Sequence, residues 1–268
     1  MRGNDAIALC PDIHIFSVPE VRGKADLTRY REASHEVFEA IKHFVANLDP
    51  NIIVEKASVD EAFIDLTQHI NQLMERSEPV PDLSDLTDTY LELNETNDLK
   101  QWLTDLKENE ILFEDEIRLA LGSVVIQQIR KEILDKTQFK CSAGISHNKM
   151  LSKLCCAIHK PNAQTILPQS GVEQLFRRTD IKKVRSLGGK LGNQIKTAFK
   201  INTMFELKSL EFKDLTKIFD PKTAKWLRGV AEGLDDDPVS NRQISKSLGC
   251  GKNFPGIQRF LHFINYFH

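Results

Sequence analysis

Apolar residues recur at helical spacing between Asp26 and Asn47. Tyr30, Val37, Phe38, Ile41, Phe44 and Val45 form one stripe, and Thr28 or Ser34 stands near the start. The pattern predicts an amphipathic helix laid across a sheet. Asp49-Pro50-Asn51 is a turn signal, and the stretch IIVEKASVDEAFIDLT from Ile52 to Thr67 follows it. Its apolar, strand-forming residues stand on both sides of Asp60-Glu61, which predicts a buried hairpin with the two acids at its turn or edge. Helices are predicted over Glu95 to Glu108 and Glu114 to Lys136, the second striped with Ile117, Leu121, Val124, Val125, Ile129 and Ile133. FKCSAGIS (139–146) and QTIL (164–167) read as strands around a helix from Asn148 to His159, which Lys160-Pro161-Asn162 ends. At the front, DAIALCP reads as a short helix and IHIFSVP as a strand stopped by Pro19. Beyond Pro168 only short helices are predicted: 172–178, 181–185, 191–200, 204–209, 212–218 and 224–229. The class is α+β, with a separate helical part following the mixed one.

Length and composition agree with a globular chain with room for one large or two smaller cores: 268 residues, 41% hydrophobic and 28% charged. Five cysteines at irregular spacing argue against a disulfide framework and for a reducing compartment. Cys156 and His159 lack a second matching pair, so a zinc site is not expected. No apolar run is long enough to suggest a membrane span. The net charge of −2 hides a strong asymmetry. Residues 78–116 hold 13 acids against 2 lysines and read as a solvated insertion, whereas 177–200 hold 8 Lys and Arg against one Asp.

Three stretches carry candidate chemistry. Adjacent carboxylates in an apolar setting must be solvated, paired or metal-bound, and Asp60 and Glu61 offer the hard oxygens that suit Mg²⁺. An acidic turn without chemistry is the competing reading. The strand-to-helix step before Lys149 could hold phosphate on helix N-terminal amides, with Lys149 or Lys153 adding full charge. Two ordinary solvent-facing lysines are the alternative. Finally, LGGKLG, with Gly188, Gly189, Lys190 and Gly192, lets backbone adopt positive φ and approach a ligand. Among nearby cations it could present amides to a DNA phosphate without reading sequence, or be a tight turn between helices.

In order along the chain, SVDEAFIDLT resembles the second acidic motif of the Y-family translesion DNA polymerases. CSAGISHNKMLSKL with KPN after it resembles their palm strand and triphosphate-side helix, and IKKVRSLGGKLG their thumb helix-hairpin-helix. The likeness runs from Met1 to about Gly256. It implies partial fingers at 1–25, a palm with an antiparallel sheet at 26–167 carrying the acidic insertion, a helical thumb at 168–238, and the start of a little finger with an unmatched tail at 239–268. It implies two-Mg²⁺ nucleotidyl transfer with Asp60 and Glu61 as catalytic metal ligands. Lys153, and less directly Lys149, would meet the incoming deoxynucleoside triphosphate, and the glycine hairpin would hold a damaged primer-template. The resemblance further implies a nuclear enzyme with no membrane partner, recruited to a sliding clamp through regions outside this chain. A non-catalytic DNA-binding remnant acting through the glycine hairpin is the alternative of a different class.

Family members open with an aspartate-bearing strand and nucleotide-contacting finger residues, and Met1 matches a position after them. The chain therefore reads as truncated at both ends, without its first metal ligand. Loss of that carboxylate and of the positioning cations removes effects that are each worth several kcal/mol. Primer extension with Mg²⁺ on a damaged template should be weak or absent; extension that depends on Asp60 overturns this expectation.

Overall fold

The computed structural model describes residues 3–21, 23–93, 96–109 and 113–241. The strand expected at 242–254, the tail at 257–268 and the start of the helix expected from Glu95 lie outside the described residues. The chain begins with α1 (Gly3–Leu9), then the two-residue strands β1 (Glu20–Val21) and β2 (Lys24–Ala25), paired antiparallel around Gly23 at φ +70°. IHIFSVP forms no strand: Ile13, Ile15 and Phe16 are exposed, and among the described residues no strand runs beside them. A strand needs a ladder partner, and hydrophobicity alone does not supply one.

Helix α2 (Thr28–Leu48) buries Phe38, Ile41 and Val45, half-buries Val37 and Phe44, and leaves Tyr30 in solvent. Neither Thr28 nor Ser34 caps it. Asp26 accepts hydrogen bonds from the Thr28 amide and hydroxyl at 3.0 and 2.6 Å. The chain turns through Asp49 into the antiparallel hairpin β3 (Ile53–Lys56) and β4 (Ala62–Asp65), then into α3 (Thr67–Glu75). After β5 (Thr89–Leu91) come α4 (Leu99–Glu108), the long α5 (Glu114–Thr137), β6 (Ala143–Ile145), α6 (Lys149–Cys156) and β7 (Gln164–Ile166).

The larger sheet departs from the antiparallel arrangement expected: β5, β7 and β6 lie in that order and are all parallel. Connection geometry explains this. β6 and β7 are joined through α6, a crossover that returns the chain in the same direction, whereas the tight turns between β1 and β2 and between β3 and β4 reverse it. β5 reaches the sheet from within the acidic segment, which corrects a second expectation. Asp82, Asp85 and Asp88 do face solvent, but Val80, Leu86, Leu91, Trp102, Leu103 and Leu106 between the acids are core. This stretch packs; it is not a solvated insertion.

The helical remainder is α7 (Val172–Arg178), a 3-10 turn at Ile181–Lys183, α8 (Lys190–Phe199), α9 (Met204–Lys208), α10 (Phe212–Leu215) and α11 (Pro221–Ala231). Asp220 caps α11 on two amides, with Pro221 in the first turn, where a missing N–H costs nothing. Two apolar clusters result. One joins α2, α3, α4, α5 and the strands through residues such as Ile41, Ile70, Trp102, Ile129 and Ile166. The other joins α6 to the helical remainder through Leu151, Cys155, Leu167, Phe176, Ile195 and Leu227. Ile166 and its neighbour Leu167 are both fully buried, one in each cluster.

Leu106 is 1% exposed. Leu106→Ala should cost about 2–5 kcal/mol in urea unfolding, as for a buried leucine; a cost near zero would return the acidic segment to a loop.

Candidate nucleotidyl-transfer site and nucleic-acid interface

Residues 57–61 turn the β3–β4 hairpin, closed by the Ala57 and Ser58 amides donating to the Glu61 carbonyl at 2.9 and 3.2 Å. Asp60 and Glu61 are both exposed there, so the sequence's problem of charge within an apolar run is met by solvent and by partners. The Ser58 hydroxyl donates to Asp60 Oδ1 at 2.7 Å. Across from the hairpin, Lys153 Nζ of α6 donates to both Glu61 oxygens at 2.7 and 2.8 Å. The structure thus joins a carboxylate pair to a cation 92 positions away in sequence. Among the described residues, no group of three or more His, Cys, Asp or Glu could hold a metal ion.

Helix α6 is set against β6 by a close approach. A Cβ on Gly144 would lie 2.0 Å from the Ser152 carbonyl oxygen and 2.6 Å from the Cys156 amide nitrogen, so only glycine admits the helix there. The approach leaves Lys153 on the hairpin side and draws Lys149 inward. Lys149, expected beside Lys153 as a second phosphate ligand, is buried, its ammonium meeting Glu55 Oε2 at 2.9 Å, Asp237 Oδ2 at 2.7 Å and the Pro238 carbonyl at 3.2 Å. The N-terminal amides of α6 are also engaged. The Leu151 amide donates to Asn148 Oδ1 at 2.9 Å and the Met150 amide to Asp235 Oδ2 at 3.1 Å. In this structure a cap and an acidic neighbour take these two donors of the helix end expected to hold phosphate.

Burial pushes the Cys156 thiol up. Burial likewise raises the thiols of Cys141 and Cys155, and the four described cysteines are free.

The glycine hairpin stands in the helical part. Its sharp bend is at Ser186, φ +71°, while Gly188, Gly189 and Gly192 are not in the positive-φ region. Gly192 is required for another reason: a Cβ there would lie 1.9 Å from the Leu187 carbonyl oxygen. Gly188 would meet the Lys182 carbonyl at 3.3 Å, and Gly189 faces open space. Gly189 precedes α8, which has no side-chain cap, so its first amides remain available to an anion. Lys190 and Lys183 are exposed without an ion pair among the described residues. Lys196 is held by Asp180 at 2.5 Å, holding the Asp180 carboxyl below its usual range, and Arg185 by Asp237 at 3.0 Å.

Comparison with known proteins follows this division. Residues 1–157 match the impB/mucB/samB family, and residues 179–234 match the DNApol eta/Rev1 HhH motif. The chain is 33% identical over 277 residues to DNA polymerase eta of Drosophila melanogaster, covering 96% of this chain and 31% of that protein. With DNA polymerase eta of Arabidopsis thaliana the identity is 37% over 271 residues, 96% of this chain and 38% of the relative. DNA polymerase iota of Homo sapiens is 29% identical over 241 residues, 89% of this chain and 29% of the relative. The chain spans about a third of the length of the curated relatives it matches.

The two glycines of the hairpin should separate cleanly. Gly192→Ala forces a methyl into backbone and should cost about 1–3 kcal/mol of stability. Gly189→Ala should stay within about 0.5 kcal/mol. Chemical denaturation of both variants checks this, and equal costs would show that the close approach at Gly192 does not exist.

Proposed function

The chain belongs to the impB/mucB/samB family, and from that premise we propose that it carries the nucleotidyl-transfer site and duplex-binding hairpin of a translesion DNA polymerase. The observation that carries the reading is the meeting of Asp60, Glu61 and Lys153 at the hairpin tip. Two adjacent, exposed carboxylates fit Mg²⁺, which is commonly bound through one or two carboxylates together with substrate phosphates and retained waters. Asp60 and Glu61 would hold the metal, which supplies Lewis-acid neutralisation of charge on the transferring phosphoryl group.

The protein's own groups then have defined tasks. Without nucleotide, Lys153 neutralises Glu61 in a pair whose side chains are 42% and 44% exposed, worth about 0–1 kcal/mol. Such a pair opens at little cost. Lys153 can pass to a triphosphate oxygen, leaving both Glu61 oxygens for coordination. The work is positioning and charge stabilisation, on which phosphoryl transfer chiefly depends.

The uncapped start of α8 with Lys190 would hold the phosphate backbone of a primer-template through amides and charge, without base contacts. That suits damaged template, where base edges are not a dependable target. We assign the nucleus as its site of action and deoxynucleoside triphosphates as its substrates by the same reading.

Calorimetry with Mg²⁺ and dATP tests the site: Asp60→Ala should abolish the Mg²⁺-dependent part of nucleotide binding. Lys190→Glu should weaken duplex binding equally across sequences and flatten the log–log salt dependence by about 1 or more. Salt-sensitive DNA binding with no Mg²⁺-dependent nucleotide binding in the parent chain would favour a non-catalytic DNA-binding protein instead.

A further inference from the structure

We propose that Lys149 is a positioning residue that sets the attitude of the Asp60-Glu61 hairpin by tying Glu55 of β3 to Asp237 in the segment after α11; the inference rests on the nucleotidyl-transfer reading of that hairpin. Lys149 and Lys153 stand one turn apart on α6 and make two rungs to the same hairpin. The outer rung, Lys153 to Glu61, is exposed and exchangeable. The inner rung is sealed: the side chains of Lys149 and Glu55 are 3% and 2% exposed.

The inner rung is also saturated. An ammonium has three protons, and Glu55, Asp237 and the Pro238 carbonyl take one each, which leaves none for a triphosphate. The Phe63 ring of β4 lies 5.0 Å from the same nitrogen, so both strands of the hairpin border it. The partners are themselves fixed. Glu55 Oε2 also accepts the Ser240 amide at 2.9 Å, Arg185 donates to Asp237 at 3.0 Å, and Asp235 accepts the Met150 amide at 3.1 Å. The Asn148 amide group donates to the Gly233 carbonyl at 2.8 Å. Residues 233–240, which issue from the helical part, are therefore strapped over the carboxylate hairpin by Lys149 together with the direct Ser240–Glu55 hydrogen bond. When Lys153 leaves Glu61, the inner rung is what holds hairpin and α6 in register.

The test uses the whole chain with Lys149→Met and Lys149→Arg, reading Mn²⁺ binding in the presence of dATP and amide hydrogen exchange by mass spectrometry. Lys149→Met should weaken Mn²⁺·dATP binding by about 10–100-fold, the usual loss when a residue orienting a metal ligand is removed. Exchange should quicken at 53–65 and 233–240 but not in α8, and Lys149→Arg should recover most of the affinity. Unchanged affinity in the folded variant, unchanged hairpin exchange, or no recovery with arginine overturns the proposal. If Lys149→Met does not fold, Asp237→Asn, altering a partner that is 37% exposed, decides by the same two readouts. If the parent binds no Mn²⁺·dATP, the nucleotidyl-transfer reading fails and with it the positioning role, while quickened exchange at 53–65 would still identify the tie as structural.

Discussion

The architecture turns on the contact between Gly144 of β6 and the backbone of α6. A strand and a helix ordinarily stand apart by the thickness of their side chains, and removing one Cβ lets these two touch, with the Ser152 carbonyl where a methyl would be. Seated this deeply, α6 serves both apolar clusters. Its backbone lies on the sheet of the first, while Met150, Leu151 and Cys155 insert into the second. The same seating presents Lys149 and Lys153 to the β3–β4 hairpin. The site is thus a consequence of packing: the cations arrive at the carboxylates because the helix cannot sit elsewhere.

The two lysines illustrate opposite electrostatic regimes on one helix. Lys153 and Glu61 interact through solvent, where attraction is weak and either group can change partner. Lys149 and Glu55 interact where water is largely excluded, with Asp237 at the half-exposed rim, and taking charges from water there cancels much of their mutual attraction. Such a group adds little net stability, yet deleting one member leaves an uncompensated buried charge at a cost of about 3–5 kcal/mol. Its effect is geometric: it specifies where the segment after α11 runs. A buried tie and an exposed exchangeable pair divide the labour between holding a hairpin and freeing its carboxylates.

Where sequence and structure part company, the reason is each time a partner remote in the chain. Asp82, Asp85 and Asp88 correctly marked solvent-facing positions, but charge density masked the buried Glu92 and the Leu and Trp residues between the acids, whose burial depends on α5 and the sheet. IHIFSVP had the composition of a strand but, among the described residues, no neighbour to pair with. The glycines of LGGKLG were legible as a turn with close approach, though the positive φ belongs to Ser186 and the indispensable glycine is Gly192. The Met150 amide at the start of α6 is taken by Asp235, 85 residues downstream, a partner no local pattern names.

By itself the sequence determined the elements and their chemistry: long helices with one apolar stripe, a hairpin with Asp60-Glu61 at its tip, a basic glycine turn, and motif order sufficient for the family. These are properties of neighbours within a few residues, where periodicity and turn preference act. Only the tertiary structure decided that β5, β6 and β7 run parallel, that the acidic segment is core, and that of two lysines one turn apart one meets Glu61 while the other is sealed against Glu55 and Asp237. Burial and ion pairing depend on what is packed on the far side of a residue, and no local pattern of residues states it.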